Sequence, residues 1–355
     1  MTDPAALARA FELQAGACVA FGSPFSGALL SLAKQDIEAG GPMADVLAPW
    51  AEASTRLAMT DAVPIRWLGA VHDLVLSGEA PALAAAYPSP AEPGDAGRAW
   101  AAAREEMVGR PDHFIRFMAH EPQTNEVRRS ACLLPGFLTV AAETGLPLQI
   151  LEIGASAGLN QLWDRYAYDF GAAGAWGDAA SPVWLDAEWR SAPGPFDVSA
   201  TVVSRAACDR KPVDIRDPAA RRRLKAYIWA DQFDRLARLD AALAMGLAAD
   251  TRVEAEDAVS WVARRAMPAE GAATVIFHSV FWQYLPPGTQ TALGEAIAGF
   301  GAGARGRAPL AWLRMEPSPA NLADVELRLT VWPGGEERLL AHVHPHGAWV
   351  DWAAA

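Results

Sequence analysis

Small residues recur at alternate positions directly after a short apolar run, at Gly154, Ser156 and Gly158. The apolar run, Leu148–Ile153, has the length of a buried strand, and Glu152 stands near its end. Glycines let a backbone turn sharply and come close to a ligand before a helix begins. The sequence therefore predicts a nucleotide-binding corner made of a strand, a tight turn and a helix.

Three kinds of protein use a corner of this type. A dinucleotide fingerprint requires Gly-x-Gly-x-x-Gly, and that interpretation fails because Ser156 stands at the second glycine and Leu159 at the third. The letters Gly154-x-Ser156-x-Gly158 also spell the nucleophile elbow of a serine hydrolase. The first motif of S-adenosylmethionine-dependent methyltransferases, an acidic residue followed by x-Gly-x-Gly-x-Gly, fits with Glu152 in the acidic place. We favour the methyltransferase interpretation.

The serine hydrolase, with Ser156 as nucleophile, stays open as an alternative. A hydrolase elbow usually follows several strands and a glycine-rich oxyanion loop, whereas residues 1–145 are predicted to be mostly helical and contain no His-Gly-Gly run. A histidine near the C-terminus could still serve as the base. A further alternative is a non-catalytic ligand-binding protein of methyltransferase-like fold, because Ser156 departs from the glycine of the usual pattern.

Acidic residues after successive strands are the next candidates for binding S-adenosylmethionine. Glu152 could accept a hydrogen bond from the amino group of the methionine moiety. Asp209, which ends the next predicted strand, is favoured for the ribose hydroxyls over Asp169, although Asp169 lies near the usual spacing of about 20 residues. Asp257 could receive the adenine amino group or could simply cap the helix that begins at Ala258. The predicted cofactor-binding residues are Glu152, Gly154, Ser156, Gly158, Asn160, Asp209 and Asp257.

The end of the fourth predicted strand is expected to face the methyl acceptor. Methyl transfer is an in-line displacement, so the protein must align the nucleophile and remove any proton that it carries. His278 is therefore the predicted catalytic base, with a purely structural histidine as the alternative. Trp282, Gln283 and Tyr284 are predicted to bind the acceptor, although both aromatic residues could instead belong to the core.

Polar residues elsewhere complete the predicted site. Gln123 and Asn125 precede a predicted helix, where they either cap its amides or reach over the glycine corner to the acceptor. Arg314 and Glu316 follow the fifth predicted strand and form either a structural ion pair or an acceptor contact.

Three histidines near the C-terminus have the spacing of one strand face. His342, His344 and His346 share one parity, but Pro345 interrupts a strand there and no carboxylate pattern completes a site. No metal site is predicted.

Composition limits the function classes. The 355 residues carry 42 acidic and 30 basic side chains, a net charge of -12, so a nucleic-acid partner is not expected. The three cysteines are too few and too widely spaced for a disulfide framework. A signal peptide and an apolar stretch of about 20 residues are both lacking, which predicts a cytoplasmic protein with no membrane partner. The sequence does not predict the oligomeric state.

The order of elements predicts the fold class. Residues 1–120 have the apolar spacing of helices and are expected to form a helical N-terminal domain. Residues 121–355 alternate strands and helices, with an inserted hairpin at about 169–200 and a closing hairpin at 325–331 and 338–343. This pattern predicts an α/β protein with a doubly wound, mostly parallel, methyltransferase-like Rossmann sheet.

Several segments also resemble an uncharacterised bacterial family of unknown function, over nearly the whole chain. The segments are Gln123–Glu126, Glu152–Asn160, Trp163–Tyr166, His278–Pro286 and His344–Gly347. The resemblance implies a methyltransferase-like core and names no reaction. We therefore expect an S-adenosylmethionine-dependent methyltransferase that acts on a small molecule.

Overall fold

The structure is a computed structural model that describes residues 4–191 and 193–353. Residues 1–3, residue 192 in the predicted hairpin and residues 354–355 lie outside the described residues. The chain divides into two compact units. The first unit contains Met1–Thr124 and Arg216–Ala237, and the second contains Asn125–Ile215 and Arg238–Ala355.

Helices occur in both units. In chain order, the α-helices are α1 (Pro4–Ala20), α2 (Pro24–Glu38), α3 (Met43–Val46), α4 (Thr55–Thr60), α5 (Val63–Ser77), α6 (Pro81–Ala84), α7 (Ala96–Gly109), α8 (Pro111–Met118), α9 (Arg129–Thr144), α10 (Pro218–Ala226), α11 (Phe233–Ala248), α12 (Ala258–Arg265) and α13 (Pro287–Ala302). Short 3₁₀ segments occur at Ala48–Trp50, Leu159–Arg165, Gly171–Ala173 and Trp282–Tyr284.

The first unit packs helices α1 to α8 and α10 around one apolar core. Residues that recur at helical spacing supply it, such as Phe11 of α1 and Trp67 of α5, whose ring centroids lie 6.1 Å apart. The core also takes in Tyr227 and Ala230, which follow α10. The segment 216–237, which the sequence pattern joins to the α/β part, thus packs with the helices.

The apolar spacing of residues 217–247 predicts a single long helix, but that prediction is wrong, because the chain breaks the helix between α10 and α11. Asp231 lies in the break, where its carboxylate accepts hydrogen bonds from the Phe25 amide, at 2.9 Å, and from the Ser23 hydroxyl. It thereby caps α2. Nδ1 of His72 donates to the carbonyls of Ala226 and Ile228 near the end of α10, and burial lowers the pKa of His72 to about 4.

Strands occur only after residue 147 in the described part of the chain. In chain order, they are β1 (Leu148–Ile153), β2 (Ala167–Asp169), β3 (Ala175–Trp176), β4 (Trp184–Asp186), β5 (Glu188–Ser191), β6 (Val202–Asp209), β7 (Glu254–Ala255), β8 (Ala273–Ser279), β9 (Leu310–Pro317), β10 (Val325–Trp332), β11 (Glu337–Val343) and β12 (Trp349–Trp352).

A nine-stranded sheet forms the centre of the second unit, in the order β5-β12-β11-β10-β9-β8-β1-β6-β7. The strands β7, β6, β1, β8 and β9 are parallel neighbours, and β10, β11 and β12 continue the sheet antiparallel. The large, mostly parallel sheet expected from the sequence is confirmed, as is the hairpin of β10 and β11. Strand order reverses between β1 and β8, and the carboxyl ends of strands at such a point are where α/β sheets bind ligands.

The segment expected to form an inserted hairpin is more complex than a hairpin. Strands β3, β2 and β4 make a small separate sheet in that order, and β5 joins the large sheet beside β12. The sequence alternates here as in a strand, at residues 183, 185, 187 and 189, and of these Val183, Leu185 and Ala187 are buried. At Ala187 the chain passes from one sheet to the other.

The two faces of β1 have different neighbours, because successive side chains of a strand point to opposite sides. Leu151 and Ile153 belong to a core with residues of α12 and α13. Glu152 points to the other face, together with Phe277, its register partner on β8. Helix α9 covers that face, where Phe137 packs edge-on against Phe277 with ring centroids 5.0 Å apart.

Two further properties bear on the expectations from composition. No helix among the described residues is both long and apolar enough to cross a membrane. The cysteines Cys18, Cys132 and Cys208 are buried free thiols, and burial raises the pKa of Cys132 to about 12.

Candidate functional site

The turn after β1, which we call the glycine corner (residues 154–158), has positive φ at three residues. The φ angles are +67° at Gly154, +53° at Ser156 and +73° at Gly158. Glycine adopts this region freely, whereas a serine must be held in it. The backbone N–H of Ser156 donates to Oδ2 of Asp209 at 2.9 Å, and its carbonyl accepts from the Val213 amide at 3.0 Å. Asp209 therefore fixes the middle of the corner.

Asp209 stands at the carboxyl end of β6, the strand next to β1. Its other oxygen, Oδ1, accepts the Lys211 amide at 2.8 Å. The rival candidate Asp169 ends β2 of the small sheet, is exposed and accepts the Gly171 amide at 2.8 Å. The structure thus brings Asp209 to the corner, while contact of either carboxylate with a ribose stays a prediction.

Glu152 is the most unusual polar residue at the corner, because it is an acid that is only 3% exposed. Its Oε2 is buried with no hydrogen-bond partner among the described residues, and the same is true of the Ser156 hydroxyl. Burial raises the pKa of Glu152 well above its ordinary value, and the charge of Asp209 raises it further. The corner therefore contains a buried acid that no cation within residues 4–191 and 193–353 neutralises.

The two glycines of the corner are packed by protein side chains. The ring of Phe281 stands where a Cβ on Gly154 would lie, and Gln161 and Val253 crowd the corresponding position of Gly158. Close packing of protein side chains is therefore sufficient to explain why both positions are glycine, without a bound ligand. A ligand at this corner would meet the Phe281 ring beside Gly154.

Two asparagines connect the corner to the chain that enters α9. Oδ1 of Asn125 accepts the Leu159 amide at 2.9 Å, and Oδ1 of Asn160 accepts the Ser130 hydroxyl at 2.8 Å. Both asparagines are buried. Asn125 thus contacts the residue directly after the glycine corner, while its contact with an acceptor stays a prediction. Gln123 belongs to the first unit, so its acceptor contact stays a prediction.

His278 lies at the end of β8 with no exposed surface. Its Nδ1 lies 2.6 Å from Oε1 of Glu316, and its Nε2 lies 3.1 Å from the indole nitrogen of Trp312. An indole N–H can only donate, so Nε2 is the acceptor and Nδ1 carries the proton. The ring of Trp282 stacks on the imidazole, with centroids 5.6 Å apart. We call these four residues the His278 centre.

The His278 centre leaves neither ring nitrogen available to take a proton from a substrate. This arrangement fits the alternative interpretation of His278 as a structural histidine better than the predicted role as catalytic base. Gln283 and Tyr284 follow on the 3₁₀ turn and point to solvent, with Tyr284 74% exposed. Of Trp282, Gln283 and Tyr284, only Trp282 packs into the centre, and contact of any of them with an acceptor stays a prediction.

Asp257 caps α12, which is the simpler of its two predicted roles. Its Oδ1 accepts the amides of Val259 and Ser260 at 3.1 and 3.0 Å. Hydrogen bonds from Ser260 lower its pKa. The carboxylate is exposed beyond β7, and its contact with an adenine stays a prediction.

The C-terminal histidines form a structured turn. The His346 amide donates to Nδ1 of His344 at 3.0 Å, and Arg129 donates to the Pro345 carbonyl at 2.9 Å and to the Ser279 carbonyl at 3.3 Å. Arg129 therefore ties this turn to the end of β8. Within residues 4–191 and 193–353, no three histidine, cysteine or acidic side chains form a group that could hold a metal.

Sequence reasoning did not identify Phe281, and it left Glu316 undecided. Arg314 pairs with Glu337, so the ion pair with Glu316 considered from the sequence is not the one that forms. The position of Glu316 at the carboxyl end of β9, beside β8, was a usable signal, because such ends meet at one edge of a parallel sheet. Phe281 offered no signal, since an apolar residue after a strand is ordinarily core.

The fold and the site define a mixed α/β protein whose mostly parallel sheet carries a glycine turn and a buried carboxylate at its carboxyl edge. The chain belongs to a bacterial family described as "Uncharacterized protein conserved in bacteria (DUF2332)", whose profile matches residues 8–352. No curated protein and no solved structure matches the chain.

Proposed function

We propose that this protein binds S-adenosylmethionine at the glycine corner and transfers its methyl group to a small molecule. The observation that carries the proposal is Glu152, a buried carboxyl group at the end of β1 with one oxygen that has no partner among the described residues. The methyltransferase-like Rossmann assignment of the sheet is part of the same proposal.

A buried carboxylate without a counterion is costly, so such a group either keeps its proton or awaits a cation. The methionine moiety of S-adenosylmethionine carries an ammonium group, which would donate hydrogen bonds to Glu152 and replace the missing cation. Asp209 adds a negative charge beside Glu152, which further favours a proton or a cation there. The corner is therefore better suited to a cationic ligand than to an anionic one.

Three carboxylates follow one another along the sheet edge in the order expected for this ligand. Glu152 is the second-last residue of β1, Asp209 ends β6, and Asp257 follows β7, and these three strands are successive parallel neighbours. Since adjacent strands lie about 4.8 Å apart, the set spans roughly 10 Å. An ammonium, a ribose diol and an adenine amino group are all donors, and carboxylates can accept from each.

S-adenosylmethionine, when bound, supplies an activated methyl group on a sulfonium sulfur. The residues of this chain would hold the donor through Glu152 and Asp209 and keep water from the corner through Phe281. Because the nitrogens of His278 are engaged, no base is assigned to the protein. The proposal accordingly favours an acceptor atom that carries a free lone pair at neutral pH.

Calorimetry with S-adenosylmethionine and S-adenosylhomocysteine tests the proposal. We expect both to bind, and Glu152→Gln to weaken binding by at least about tenfold, the scale of a lost charge-assisted hydrogen bond. Glu326→Gln is the matched control, since Glu326 is also a buried carboxylate of the same sheet and pairs with Arg328. It should leave the affinity unchanged. Absence of binding by wild-type protein at about 1 mM ligand, a level at which even weak sites fill, would refute the proposal.

A further inference from the structure

The turn that follows β8 is held in a strained conformation. Val280 has a φ of +51°, which is a genuine outlier for a β-branched residue. Its amide donates to the Met315 carbonyl at 2.8 Å. Strain of this kind persists only where the surroundings impose it, and it concentrates at ligand sites and switch regions.

Glu316 is the residue that imposes this conformation. Its carboxylate accepts the amide of Phe281, at 3.0 and 3.1 Å, and the amide of Trp282, at 3.1 Å. It also accepts the proton on Nδ1 of His278. Three donors converge on one carboxylate, and a glutamine would present its own donor group to one of these N–H groups.

The turn brings Phe281 to the glycine corner. Its ring lies against Gly154, the first residue after β1, and packs edge-on to the His278 ring at 5.5 Å. Phe281 is partly exposed, whereas His278, on which it packs, has no exposed surface. Phe281 therefore contacts both His278 of the His278 centre and Gly154 of the glycine corner.

We propose that Glu316 is a positioning residue for the ligand site, which it shapes by holding Phe281 as the wall beside Gly154. The inference rests on the proposed function, because it assigns that wall to the site for S-adenosylmethionine. Asp209 fixes the corner from the β6 side and Glu316 fixes it from the β8 and β9 side. Neither Glu316 nor Phe281 belongs to the sequence motif at residues 152–158 or to the acidic residues after β6 and β7.

A double-mutant cycle separates positioning from a general structural role. Phe281→Ala and Glu316→Gln are each expected to weaken binding of S-adenosylhomocysteine by about tenfold. If Glu316 acts through Phe281, the double variant should also lose only about tenfold, whereas independent effects would multiply to about a hundredfold. Phe281→Tyr should restore the wild-type affinity, because it keeps the ring.

Amide hydrogen exchange provides a reading that needs no ligand. Glu316→Gln should raise the exchange rates of the Phe281 and Trp282 amides by at least about tenfold, since one amide oxygen cannot accept from all three donors and the NH2 group would face at least one of them, which loosens the turn. Glu326→Gln is the control, because Glu326 is the register partner of Glu316 on β10 and pairs with Arg328. It should change neither exchange at the turn nor affinity. Glu316→Asp, which withdraws the carboxylate by one methylene, replaces Glu316→Gln if that variant does not fold.

The outcomes are distinguishable. Faster exchange at the turn with non-multiplying losses of affinity supports the inference. If the wild-type protein binds the ligand, three results would each overturn the inference and leave the proposed function standing. They are unchanged exchange at the turn, losses of affinity that multiply in the double variant, and unchanged affinity in the variants. If wild-type protein fails to bind S-adenosylhomocysteine or S-adenosylmethionine, the proposed function falls, and the role of Glu316 at that site falls with it.

Discussion

The glycine corner and the His278 centre lie at the same edge of one sheet, yet they differ in how fully their polar atoms are paired. At the His278 centre both imidazole nitrogens, the Trp312 indole and the Glu316 carboxylate have partners. At the corner, Oε2 of Glu152 and the hydroxyl of Ser156 are buried without a partner in the described part of the chain. A fully paired buried network stabilises a fold, whereas an unpaired buried group calls for a ligand, water or proton.

This difference reverses the roles that residue types alone suggest. Histidine is the commonest general base, and a carboxylate at a strand end is often only a cap. In this protein the histidine is the saturated, structural group and the glutamate is the unsatisfied one. Substitutions at His278, Glu152, Asp209 and Ser156 test this contrast, with effects on stability that decrease in that order.

His278→Ala should destabilise the protein by about 4 kcal/mol, because it opens a cavity and leaves buried donors and acceptors of the network unpaired. Urea unfolding followed by circular dichroism measures this. His342→Ala, at a half-buried histidine of β11, is the control and should cost less than about 1 kcal/mol. A loss at His278 no larger than at His342 would mean that the centre is not structural.

Glu152→Gln should stabilise the protein at neutral pH and leave it unchanged in acid. Since burial raises the pKa of Glu152 above its ordinary 4.5, the folded protein keeps a proton that the unfolded chain releases above that pH. Wild-type stability therefore falls as pH rises from 4.5 toward the folded pKa, by up to about 1.4 kcal/mol per pH unit, and the glutamine variant lacks this loss.

The pH dependence is measured as the difference between variant and wild-type unfolding free energies from about pH 4.5 to about pH 7.5, the range over which a raised carboxyl pKa acts. Glu326→Gln should show the opposite sign, because burial raises the pKa of Glu326 but the hydrogen bonds from Arg328 and Ser318 and the Arg328 charge together lower it below its ordinary value. The contribution of Glu326 to the stability of the wild-type protein is fully present above the ordinary pKa of 4.5 and is lost as the pH falls through the lowered pKa. A pH-independent difference for Glu152→Gln would show that the buried acid is not protonated in the folded protein.

Asp209→Asn should cost about 1 kcal/mol, because an amide can accept from only one of the two backbone N–H groups that Asp209 now serves. It should also lower the pKa of Glu152 by removing the neighbouring charge, and so reduce the pH dependence of stability that Glu152 causes. Asp169→Asn is the matched control, since Asp169 accepts a backbone amide in the small sheet. If both variants leave the Glu152 titration unchanged, the two carboxyl groups of the corner are not coupled.

Several strands of the sheet could be predicted because each has a local signal, whereas β12 was not predicted. The apolar runs that became β1, β8 and β9 are bounded by turn residues, and Asp209 was found by its place at the end of β6. Pairing across the sheet has no such signal. The engagement of His278 by Trp312 and Glu316 joins residues more than 30 positions apart, so it depends on strand neighbours that one sequence does not reveal.

The break between α10 and α11 has a similar cause. Its residues have ordinary helical spacing, but Asp231 is used to cap α2, more than 200 positions earlier in the chain. A tertiary hydrogen bond therefore overrides a local preference worth only a fraction of a kcal/mol per residue. The same limit applies to Phe281, whose position over Gly154 depends on a carboxylate from another strand.

The smallest effect is expected at Ser156, and it separates the methyltransferase proposal from the serine hydrolase. A positive φ at Ser156 is what a nucleophile elbow requires, but the hydroxyl has no partner among the described residues, whereas an activated serine needs a base within hydrogen-bond reach. Ser156→Ala should therefore change stability by less than about 0.5 kcal/mol, and Ser156→Gly should be about 1 kcal/mol more stable than the alanine variant because glycine tolerates the left-handed conformation. A fluorophosphonate probe should leave wild-type protein unlabelled. Stoichiometric labelling that disappears in both variants would identify Ser156 as a nucleophile, and the corner would then be a hydrolase elbow whose base reaches the serine only when a substrate is bound.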